Sequence, residues 1–557
     1  MNGLVTGVEF VFAMVLMLGV VVTVHELGHF WAAKACGVRV LKFSIGFGNP
    51  IGFGRFRLRW LKNGTEYVLA WFPLGGFVKM LGEAMDDEAN PSLTAAPPPD
   101  SLAAQPLWKK LIILVAGPGM NLVLPVVVVA ASLFVGVERR DNTIGTVEAG
   151  GSAAAAGIQA GDRVLALDGE PVTFWDEFER SVRERPGATL ALSLARGEER
   201  FERTLAVSGR DGLDMLGKKS DVGWLGLQHH RQNATLGILR ADAPAVAAGL
   251  RSGDRVVAVA GAAVEDWADL AAAYAALPAG QAVLRVSRGE PTAAREEEIA
   301  VPALGDLSAL GVIPAVVLVD AVTAGMPAAE AGIQKGDLLV AVEGAPVGSF
   351  ATFRETVLAS AGRPLTVTIA SAGETRDVVL APRLSKAAPE DPQPQYLIGI
   401  AAVNAILPGV SATDRVRNPL VALPRAVGAT VDTTRAFLIG LGRIVSGEIP
   451  RSSIGGPIEI ARQSQLALQR GWESFVSLLV IISINLGVLN LLPIPMLDGG
   501  QALLFTIEAL RRGPLPLRAK EWVQQVGLFL LVGLMGFAFW NDVSRYWGSF
   551  FDWLRNL

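Results

Sequence analysis

The sequence is poor in the side chains that most often bind metals or form covalent cross-links. Its 557 residues include one cysteine, Cys36, and four histidines, which stand at positions 25, 29, 229 and 230. A single cysteine excludes an internal disulfide and a cysteine-rich zinc or iron–sulfur site. Any imidazole chemistry must therefore use one of these four histidines.

Charged residues are also scarce, at 18% of the sequence against roughly 25% in average soluble domains. With 51% hydrophobic residues and a mean hydropathy of +0.40, the chain is too apolar to be wholly soluble. Its 61 glycines, 32 prolines and remaining charges exclude a chain made only of membrane helices. A net charge of −4 lacks the basic surface typical of nucleic-acid-binding proteins, so no nucleic-acid partner is expected.

Four stretches are long and apolar enough to cross a lipid bilayer, which takes about 17–25 residues. They are residues 10–33, 111–137, 474–497 and 522–541. A cleaved signal peptide is the alternative for the first stretch, but no basic residue precedes it and no small-residue cleavage site follows it. We therefore predict a polytopic α-helical membrane protein with four transmembrane helices.

The lysines and arginines beside these stretches predict their orientation. Residues 1–8 carry none, whereas the connection 34–110 carries ten and the connection between the third and fourth stretches carries four. Both connections are therefore expected in the cytoplasm. The N-terminus and residues 138–473 are expected outside.

The long segment between the second and third stretches contains one motif three times. The copies occupy residues 156–169, 248–261 and 331–344, and each has Ala-Gly, then Gly-Asp, then an apolar strand closed by glycine. An alanine-rich stretch that ends at glycine is typical of a short helix, and a Gly-Asp turn commonly precedes a strand. The spacing predicts three small inserted α+β domains.

These repeats resemble bacterial PDZ domains of the permuted kind found on envelope proteases. The predicted domains cover residues 142–225, 226–305 and 306–385. PDZ domains can bind an extended peptide at a sheet edge, and the equal alternative is that they only restrict access to the membrane by bulk. His229 and His230 fall between the first two copies, and we interpret them as a solvated linker pair because no third metal ligand lies nearby.

The first apolar stretch contains a metal-binding motif. His25, Glu26 and His29 fit the pattern His-Glu-x-x-His, which places two imidazoles one turn apart on the same face of a helix. Two such imidazoles can bind Zn²⁺, and the glutamate can act as a general base. Ionisable residues in a membrane helix cost roughly 2.5–3.5 kcal/mol each and are usually functional. The alternative is a polar cluster at the cytoplasmic end of the helix.

A catalytic zinc site needs a third protein ligand and one open position. No spare cysteine or histidine lies in the predicted spans, so the third ligand should be a carboxylate. Asp498, at the end of the third apolar stretch, is the candidate. The alternative for Asp498 is an ordinary Asp-Gly turn, and Cys36 is expected to be inert packing.

The pairing of this motif with Leu497-Asp498-Gly499 resembles the site-2 protease family of intramembrane zinc metalloproteases. Residues 485–495 are similar to the regulator-of-sigma-E protease branch of that family. The resemblance covers residues 1–137 and 415–545 as well as the inserted repeats. That branch has two PDZ domains, whereas this sequence has three repeats. How the repeats control access to the membrane site therefore remains open for this chain.

The resemblance implies a zinc ion held by His25, His29 and Asp498, and a water molecule activated by Glu26. It also implies roles for three asparagines. Asn121, in the element that begins at Gly117, is expected near the zinc, where it could stabilise an oxyanion, and helix–helix packing is an equal alternative.

Asn485 and Asn490 fit binding of the substrate backbone, because an unwound peptide in lipid requires hydrogen-bond partners. Pro493 and Pro495 are expected to keep the nearby backbone irregular.

The resemblance and the local sequence patterns together predict the domain organisation. Residues 1–137 contain the first two transmembrane helices and, within 38–80, a membrane-associated β-hairpin whose edge could pair with substrate; a merely cytoplasmic hairpin is the alternative. Residues 86–106 are expected to form a flexible linker. Amphipathic helices are expected at the outer surface over 415–472. The last two transmembrane helices, with the third ligand, occupy 473–557.

The function implied by the resemblance is cleavage of single-span membrane proteins in the bacterial inner membrane, with periplasmic repeats and an active site towards the cytoplasm. The expected substrate is an anti-sigma factor already shortened on its outer side, and remnant signal peptides form a second class. The alternative is a membrane-tethered PDZ scaffold or chaperone with a vestigial metal site. The intact Glu26 argues against it. A soluble-type zinc protease on one anchor would need a third ligand in the repeats, which offer no such motif.

Overall fold

The structure is a computed structural model, and it divides into two compact units, Met1–Val137 with Asp414–Leu557 and Glu138–Thr413. It describes residues 2–53, 56–82, 98–148, 150–213, 219–289, 294–315, 317–347, 350–371, 374–385, 395–403, 405–449, 454–513 and 515–555. Most of the predicted flexible linker therefore lies outside the described residues.

The first part of the chain forms two long helices separated by a small β-sheet. The elements are α1 (Asn2–Ala35), β1 (Val40–Pro50), β2 (Gly52–Phe53), β3 (Phe56–Arg57), β4 (Arg59–Lys62), β5 (Thr65–Met80) and α2 (Leu107–Val135).

The middle of the chain consists of antiparallel strands and short helices. The elements are β6 (Val137–Arg140), β7 (Thr146–Val147), α3 (Ser152–Ala155), β8 (Arg163–Leu167), β9 (Glu170–Pro171), α4 (Trp175–Arg183), β10 (Thr189–Arg196), β11 (Glu199–Ala206), β12 (Ser208–Leu213), β13 (Lys219–Trp224), β14 (Leu227–Gln228), β15 (Arg231–Gln232), β16 (Leu236–Ile238), α5 (Pro244–Ala247), β17 (Arg255–Val259), β18 (Ala262–Ala263), α6 (Trp267–Ala275), β19 (Gly280–Arg288), β20 (Arg295–Ala303), α7 (Leu307–Leu310), β21 (Val312–Pro314), β22 (Val319–Val322), α8 (Pro327–Glu330), β23 (Leu338–Val342), β24 (Ala345–Pro346), α9 (Phe350–Ala359), β25 (Leu365–Ser371), β26 (Glu374–Leu380), β27 (Arg383–Ser385), β28 (Gln395–Leu397), β29 (Ile400–Ala402), β30 (Ile406–Leu407) and β31 (Ser411–Asp414).

The last part of the chain is helical. Its elements are α10 (Pro419–Ser446), α11 (Pro457–Arg470), α12 (Trp472–Leu491), α13 (Asp498–Arg511) and α14 (Leu517–Arg555).

Four segments of the described chain are helical, long and apolar enough to cross a membrane: Glu9–Ala35, Leu107–Val135, Trp472–Leu491 and Arg518–Ser544. They correspond to the four predicted spans, with one difference. The predicted third span continues to residue 497, whereas α12 ends at Leu491 and Leu492 is already extended. Proline disfavours helical backbone at the residue before it, and Pro493 and Pro495 follow directly.

The helices α1, α2 and α12 pack with their backbones close together where small residues meet. A Cβ atom added at Gly28 would clash with the carbonyl oxygen of Ala116, so α1 and α2 touch at this point. Ser483 of α12 donates a hydrogen bond of 2.7 Å to the carbonyl oxygen of Asn121 in α2. Small residues and hydrogen bonds of this kind are the usual means by which membrane helices associate.

The sheet between α1 and α2 has the strand order β1-β5-β4. Strands β4 and β5 are antiparallel, with Trp60 opposite Tyr67 and their rings stacked at 5.4 Å. Strand β1 pairs with both halves of β5, so that Phe43 aligns with Tyr67 and with Val78. Phe30 of α1 packs on this sheet. The membrane association of the hairpin stays a prediction.

The three copies of the repeated motif form three α+β units with four-stranded sheets. The strand orders are β11-β10-β8-β9, β18-β17-β19-β20 and β24-β23-β25-β26. Their cores draw on residues 144–227, 234–312 and 317–398, so each extends beyond the end predicted from the motif. The difference arises because the closing strands β14, β21 and β29 lie outside the repeated motif.

The interpretation of His229 and His230 as a solvated linker pair is wrong for His229. Its side chain is buried, its Nε2 lies 2.9 Å from the carbonyl oxygen of Val410, and its ring packs on Trp175 at 5.5 Å. The returning strand β30 pairs with β15 beside it, with Arg231 opposite Leu407. Residues 229 and 230 were predicted to form a linker between two domains. The chain here is instead buried or paired because a segment from much later in the sequence, residues 406–410, lies against it.

A buried carboxylate in α14 holds the start of α11. Asp542 is fully buried and accepts hydrogen bonds from the backbone N–H groups of Gly456, Ile458 and Glu459, at 2.8, 2.9 and 3.2 Å. An anion at a helix N-terminus satisfies N–H groups that have no partner within the helix and interacts favourably with the helix dipole. The other end of α11 packs against α1 through Ala467 and Met17.

We expect Asp542→Asn to loosen the start of α11, because an amide can neither carry the charge nor accept as many hydrogen bonds. Hydrogen bonds to a charged group contribute about 1.5–3 kcal/mol, so amide hydrogen exchange over residues 456–462 should accelerate about 10- to 100-fold. Asp432→Asn, at an exposed position on α10, is the matched control. Equal exchange in the two variants would show that Asp542 does not hold α11.

Candidate metal centre

Two imidazoles of the predicted motif face each other within the first apolar helix. His25 and His29 are both buried, and their Nε2 atoms lie 3.2 Å apart. The helical spacing of four residues places both rings on one face of α1.

The structure brings Asp498 to the same point. Its Oδ2 atom lies 3.2 Å from Nε2 of His25 and 3.5 Å from Nε2 of His29. Within the described part of the chain, these three residues are the one group of three or more His, Cys, Asp or Glu side chains close enough to bind a metal ion together. The sequence predicted that Asp498 ends the third span, because it follows an apolar run. In the structure Asp498 is instead the first residue of α13.

The spacing of these three atoms suits a zinc ion. Ligands at about 2.0–2.1 Å in a tetrahedral zinc site lie about 3.3 Å from one another, which matches the separations of 3.2, 3.2 and 3.5 Å. Two imidazoles and one carboxylate leave the fourth position open, as a catalytic zinc site requires.

The loop between α12 and α13 aims the carboxylate at the imidazoles. Met496 adopts a left-handed conformation with φ of 79°, which is rare for a residue with a side chain. Cβ atoms at Gly499 and Gly500 would clash with the carbonyl oxygens of Leu491 and Ile494, so the start of α13 packs directly on the loop backbone. Both glycines are therefore needed for the position of Asp498.

Each imidazole is also contacted at its second nitrogen. Nδ1 of His29 lies 2.8 Å from the carbonyl oxygen of Ile113, which fixes the ring with Nε2 towards the metal position. Nδ1 of His25 lies 3.3 Å from the amide nitrogen of Asn121. The buried Oδ1 of Asn121 has no hydrogen-bond partner among the described residues. Exchanging the amide nitrogen and oxygen, which are assigned only from hydrogen bonding, lets Oδ1 accept from Nδ1–H of His25.

Gly117 in α2 makes room for His29. A Cβ atom at Gly117 would overlap the His29 ring at Nε2, whereas a Cβ at Gly119, two residues further along the helix, meets nothing within 4 Å. The sequence analysis named Gly117 only as the first residue of the element that ends at Asn121, and it predicted no contact between Gly117 and His29. Its contact with a ligand atom depends on how α1 and α2 cross, which no local pattern encodes.

Of the two asparagines predicted in the third span, one reaches the centre. The amide nitrogen of Asn490 lies 3.5 Å from Nε2 of His25. Asn485 is half-buried further up α12. The predicted roles of both remain predictions.

Glu26 follows His25 on α1 and is half-buried. Its Cγ atom lies about 3.1 Å from the position that a Cβ of Gly76 would occupy, so β5 runs beside the carboxylate. The absence of a side chain at Gly76 lets this strand approach the site. The arrangement places a potential general base next in sequence to His25 and in contact with a strand.

The chain is similar to known proteins over almost its whole length. The model of Peptidase family M50 matches residues 13–534. Protease RseP of Yersinia pestis is 30% identical over 537 residues, covering 96% of this chain and 98% of the relative. The regulator of sigma-E protease RseP of Escherichia coli is 29% identical over 535 residues, covering 95% and 97%.

Among solved structures, the PDZ domain of an SdrC-like protein from Listeria monocytogenes aligns with 16% of this chain and 90% of its own, at 18% identity and a TM-score of 0.14. The PDZ character of the repeats remains a prediction.

The family match covers both parts of the candidate metal centre, since it includes His25, His29 and Asp498. Proteases of this family depend on zinc. The chain therefore belongs to peptidase family M50, the site-2 proteases, and is a zinc metalloprotease of that type.

Proposed function

We propose that this protease hydrolyses a peptide bond within or beside the transmembrane segment of a single-span membrane protein. The supporting observation is that His25, His29 and Asp498 converge between helices long and apolar enough to cross a bilayer. A site at that depth favours a substrate that is itself in the membrane.

His25, His29 and Asp498 are the residues that would hold zinc. When bound, zinc supplies a Lewis acid that polarises the scissile carbonyl and lowers the pKa of a water molecule. Glu26 is the general base in this proposal: its carboxylate takes a proton from the attacking water and later delivers it to the amine that leaves. Glu26 directly follows His25 on α1, and β5 passes beside its side chain at Gly76.

Asn121 and Asn490 have different roles in this proposal. Asn121 orients His25, because its side-chain amide contacts Nδ1 on the side of the ring away from Asp498. Asn490 contacts the Nε2 side, so it is better placed to bind the substrate carbonyl or an oxyanion. Asn485 is proposed to bind the substrate backbone further along α12.

The strand beside Glu26 gives the substrate a partner for its backbone. A transmembrane helix must unwind before its peptide bonds can reach the metal, and unwound backbone in lipid requires hydrogen-bond partners. Strand β5 is proposed to supply them by pairing with the extended substrate. Pro493 and Pro495 leave further backbone groups available next to Asp498.

The repeats are proposed to be periplasmic PDZ-type domains that exclude substrates with a bulky outer domain. Relatives named regulator of sigma-E protease support a substrate that controls a sigma factor. The proposed substrate is an anti-sigma factor shortened beforehand on its outer side, and remnant signal peptides are proposed as a second class. The ten basic residues in the connection 34–110 support an inner-membrane orientation with the active site towards the cytoplasm.

We expect Gly117→Ala to displace His29 from the metal and Gly119→Ala to be tolerated. The added methyl group would overlap the His29 ring in the first variant and enter open space in the second. Zinc affinity and proteolysis should fall about 10- to 100-fold in Gly117→Ala, as for other disturbed ligand shells. Zinc titration of both purified variants, with competition by a chelator, is the measurement.

The two variants share helix, substitution and gain in helix propensity, and the nearest atoms that the added methyl group would meet in the first variant belong to His29. Wild-type zinc affinity in Gly117→Ala would contradict the placement of His29. An equal loss in Gly119→Ala would indicate a general intolerance of α2 to substitution.

The proposed function predicts a strong dependence on the outer part of the substrate. In proteoliposomes, a single-span protein with a short outer tail should be cleaved at least about tenfold faster than one with the same transmembrane segment and a folded outer domain. Glu26→Gln should retain zinc but lose about 10²- to 10⁴-fold in cleavage of both. Mass spectrometry of the products locates the cleaved bond.

Equal cleavage of the two substrates would contradict size exclusion by the repeats while leaving the protease intact. Cleavage at a bond far from the membrane would contradict intramembrane proteolysis. A zinc-loaded wild type that is no more active than Glu26→Gln would instead support the alternative of a scaffold with a vestigial centre.

A further inference from the structure

Helix α14 is exposed over most of its length. Between Arg518 and Ser544, three of its residues are buried, namely Gly527, Ala538 and Asp542. Most of the other side chains in this part of α14 are apolar, which suits a helix surrounded by lipid. Ala538 and Asp542 belong to the contact with the start of α11. Gly527 therefore marks a second, separate contact of α14 with the protein.

This second contact is made with the loop between α12 and α13. A Cβ atom at Gly527 would overlap the Cβ of Pro495 and would lie 2.6 Å from the carbonyl oxygen of Pro495. Carbon atoms in ordinary contact are about 3.5–4.0 Å apart, so the backbone of α14 lies directly on Pro495. Val526 and Leu528, on either side of Gly527, are exposed to 48% and 50%. The contact is therefore confined to one turn of α14.

Pro495 is also contacted by the start of α13. A Cβ atom at Gly500 would overlap the carbonyl oxygen of Ile494 and would lie 2.9 Å from the Cα of Pro495. Glycines of two helices thus approach the same proline at backbone distance. Because these atoms belong to the backbone, they cannot move aside as the end of a flexible side chain could.

A tight turn connects Pro495 to Asp498. The carbonyl oxygen of Ile494 accepts a hydrogen bond of 3.1 Å from the N–H of Leu497. The positive φ of Met496 is that of a type II turn, in which proline is common at the preceding position. Leu497 directly precedes Asp498 and caps α13. A displacement of Pro495 would therefore be carried through the turn to Asp498.

An ion pair determines how α14 returns past α13. Glu508, near the end of α13, lies 2.8 Å from Lys520 on α14. The same carboxylate accepts a hydrogen bond of 2.9 Å from the N–H of Leu515 in the connection between the two helices. A helix rises 1.5 Å per residue, so Gly527 lies about 10 Å further along α14 than Lys520. The ion pair thus fixes the start of α14, and Gly527 fixes the helix at the loop.

We propose that Gly527 is a positioning residue for the metal ligand Asp498. By seating α14 on Pro495, Gly527 holds the turn that aims the carboxylate at His25 and His29. The Oδ2 atom of Asp498 lies 3.2 and 3.5 Å from the two imidazoles, and metal–ligand distances tolerate a deviation of only about 0.2 Å. A small shift of the turn is therefore enough to weaken the site. The inference rests on the proposed zinc ligation by Asp498.

The test compares the zinc affinity of Gly527→Ala and Gly533→Ala, measured on the full-length protein in nanodiscs by competition with a chelator. Gly533 is exposed on the same helix, and a Cβ atom there meets nothing within 4 Å. Zinc affinity should fall about 10- to 100-fold in Gly527→Ala, as for other changes that disturb the orientation of metal ligands. Gly533→Ala should stay within about twofold of wild type, as is usual for surface substitutions.

Zinc affinity separates a positioning role from a merely structural one. A contact that only stabilises the fold would affect the zinc-free and zinc-bound protein equally, and zinc affinity would not change. Wild-type affinity in Gly527→Ala, or an equal loss in Gly533→Ala, would overturn the proposal.

Asp498→Ala, measured in parallel, tests the ligand assignment on which the proposal rests. Loss of zinc in Asp498→Ala together with wild-type affinity in Gly527→Ala would overturn the positioning role alone. Undiminished zinc affinity in Asp498→Ala would overturn both the ligand assignment and the positioning role.

If Gly527→Ala does not accumulate, the reciprocal effect decides the matter. Coupling is reciprocal, so if a seated α14 favours zinc binding, zinc must favour the seated α14. In a Cys36→Ala background, Val523→Cys places a thiol at a half-buried position one turn before Gly527. This thiol should react with a membrane-permeant maleimide at least about threefold more slowly with zinc than without zinc. The exposed control Leu528→Cys should react equally in both states, and equal rates for Val523→Cys would overturn the proposal.

Discussion

The centre depends on one constraint: three polar ligand groups must meet within hydrogen-bonding distance of one another, inside a part of the protein built from apolar helices. Two of them, His25 and His29, are neighbours on one helix, but Asp498 comes from the opposite end of the chain. Buried polar groups are costly unless they are paired or bind a metal. These three side chains therefore constrain how α13 packs on α1, and α2 contacts both imidazoles through Ile113 and Asn121.

Close backbone approach is the means by which the fold meets this constraint. Gly28 brings α1 onto α2, Gly117 leaves space for the His29 ring, and Gly499 and Gly500 let α13 start directly against the preceding loop. At each of these positions a single methyl group would move a ligand or its helix. The strained backbone of Met496 next to Asp498 fits the same pattern, since strain is commonly kept where function needs an unusual geometry.

The sequence predicted the chemistry of the site better than its architecture. Residue type and membrane context were sufficient to single out His25, His29 and Asp498, which the structure brings together, because so few metal-binding side chains occur in the chain. The end of the third span was misplaced because composition alone does not distinguish an apolar helix from an apolar loop with two prolines. The burial of His229 and the capping role of Asp542 depend on segments far away in the sequence, and no local pattern encodes them.

The most direct test of the account is X-ray absorption spectroscopy at the zinc edge of the purified, zinc-loaded protein, with zinc content measured for wild type, Asp498→Ala and Glu26→Gln. The account predicts a first shell of nitrogen and oxygen at about 2.0–2.1 Å, containing two imidazoles and no sulfur. Zinc should be retained in Glu26→Gln and largely lost in Asp498→Ala. An unchanged shell and undiminished zinc in Asp498→Ala would contradict the claim that the two ends of the chain share one metal ion.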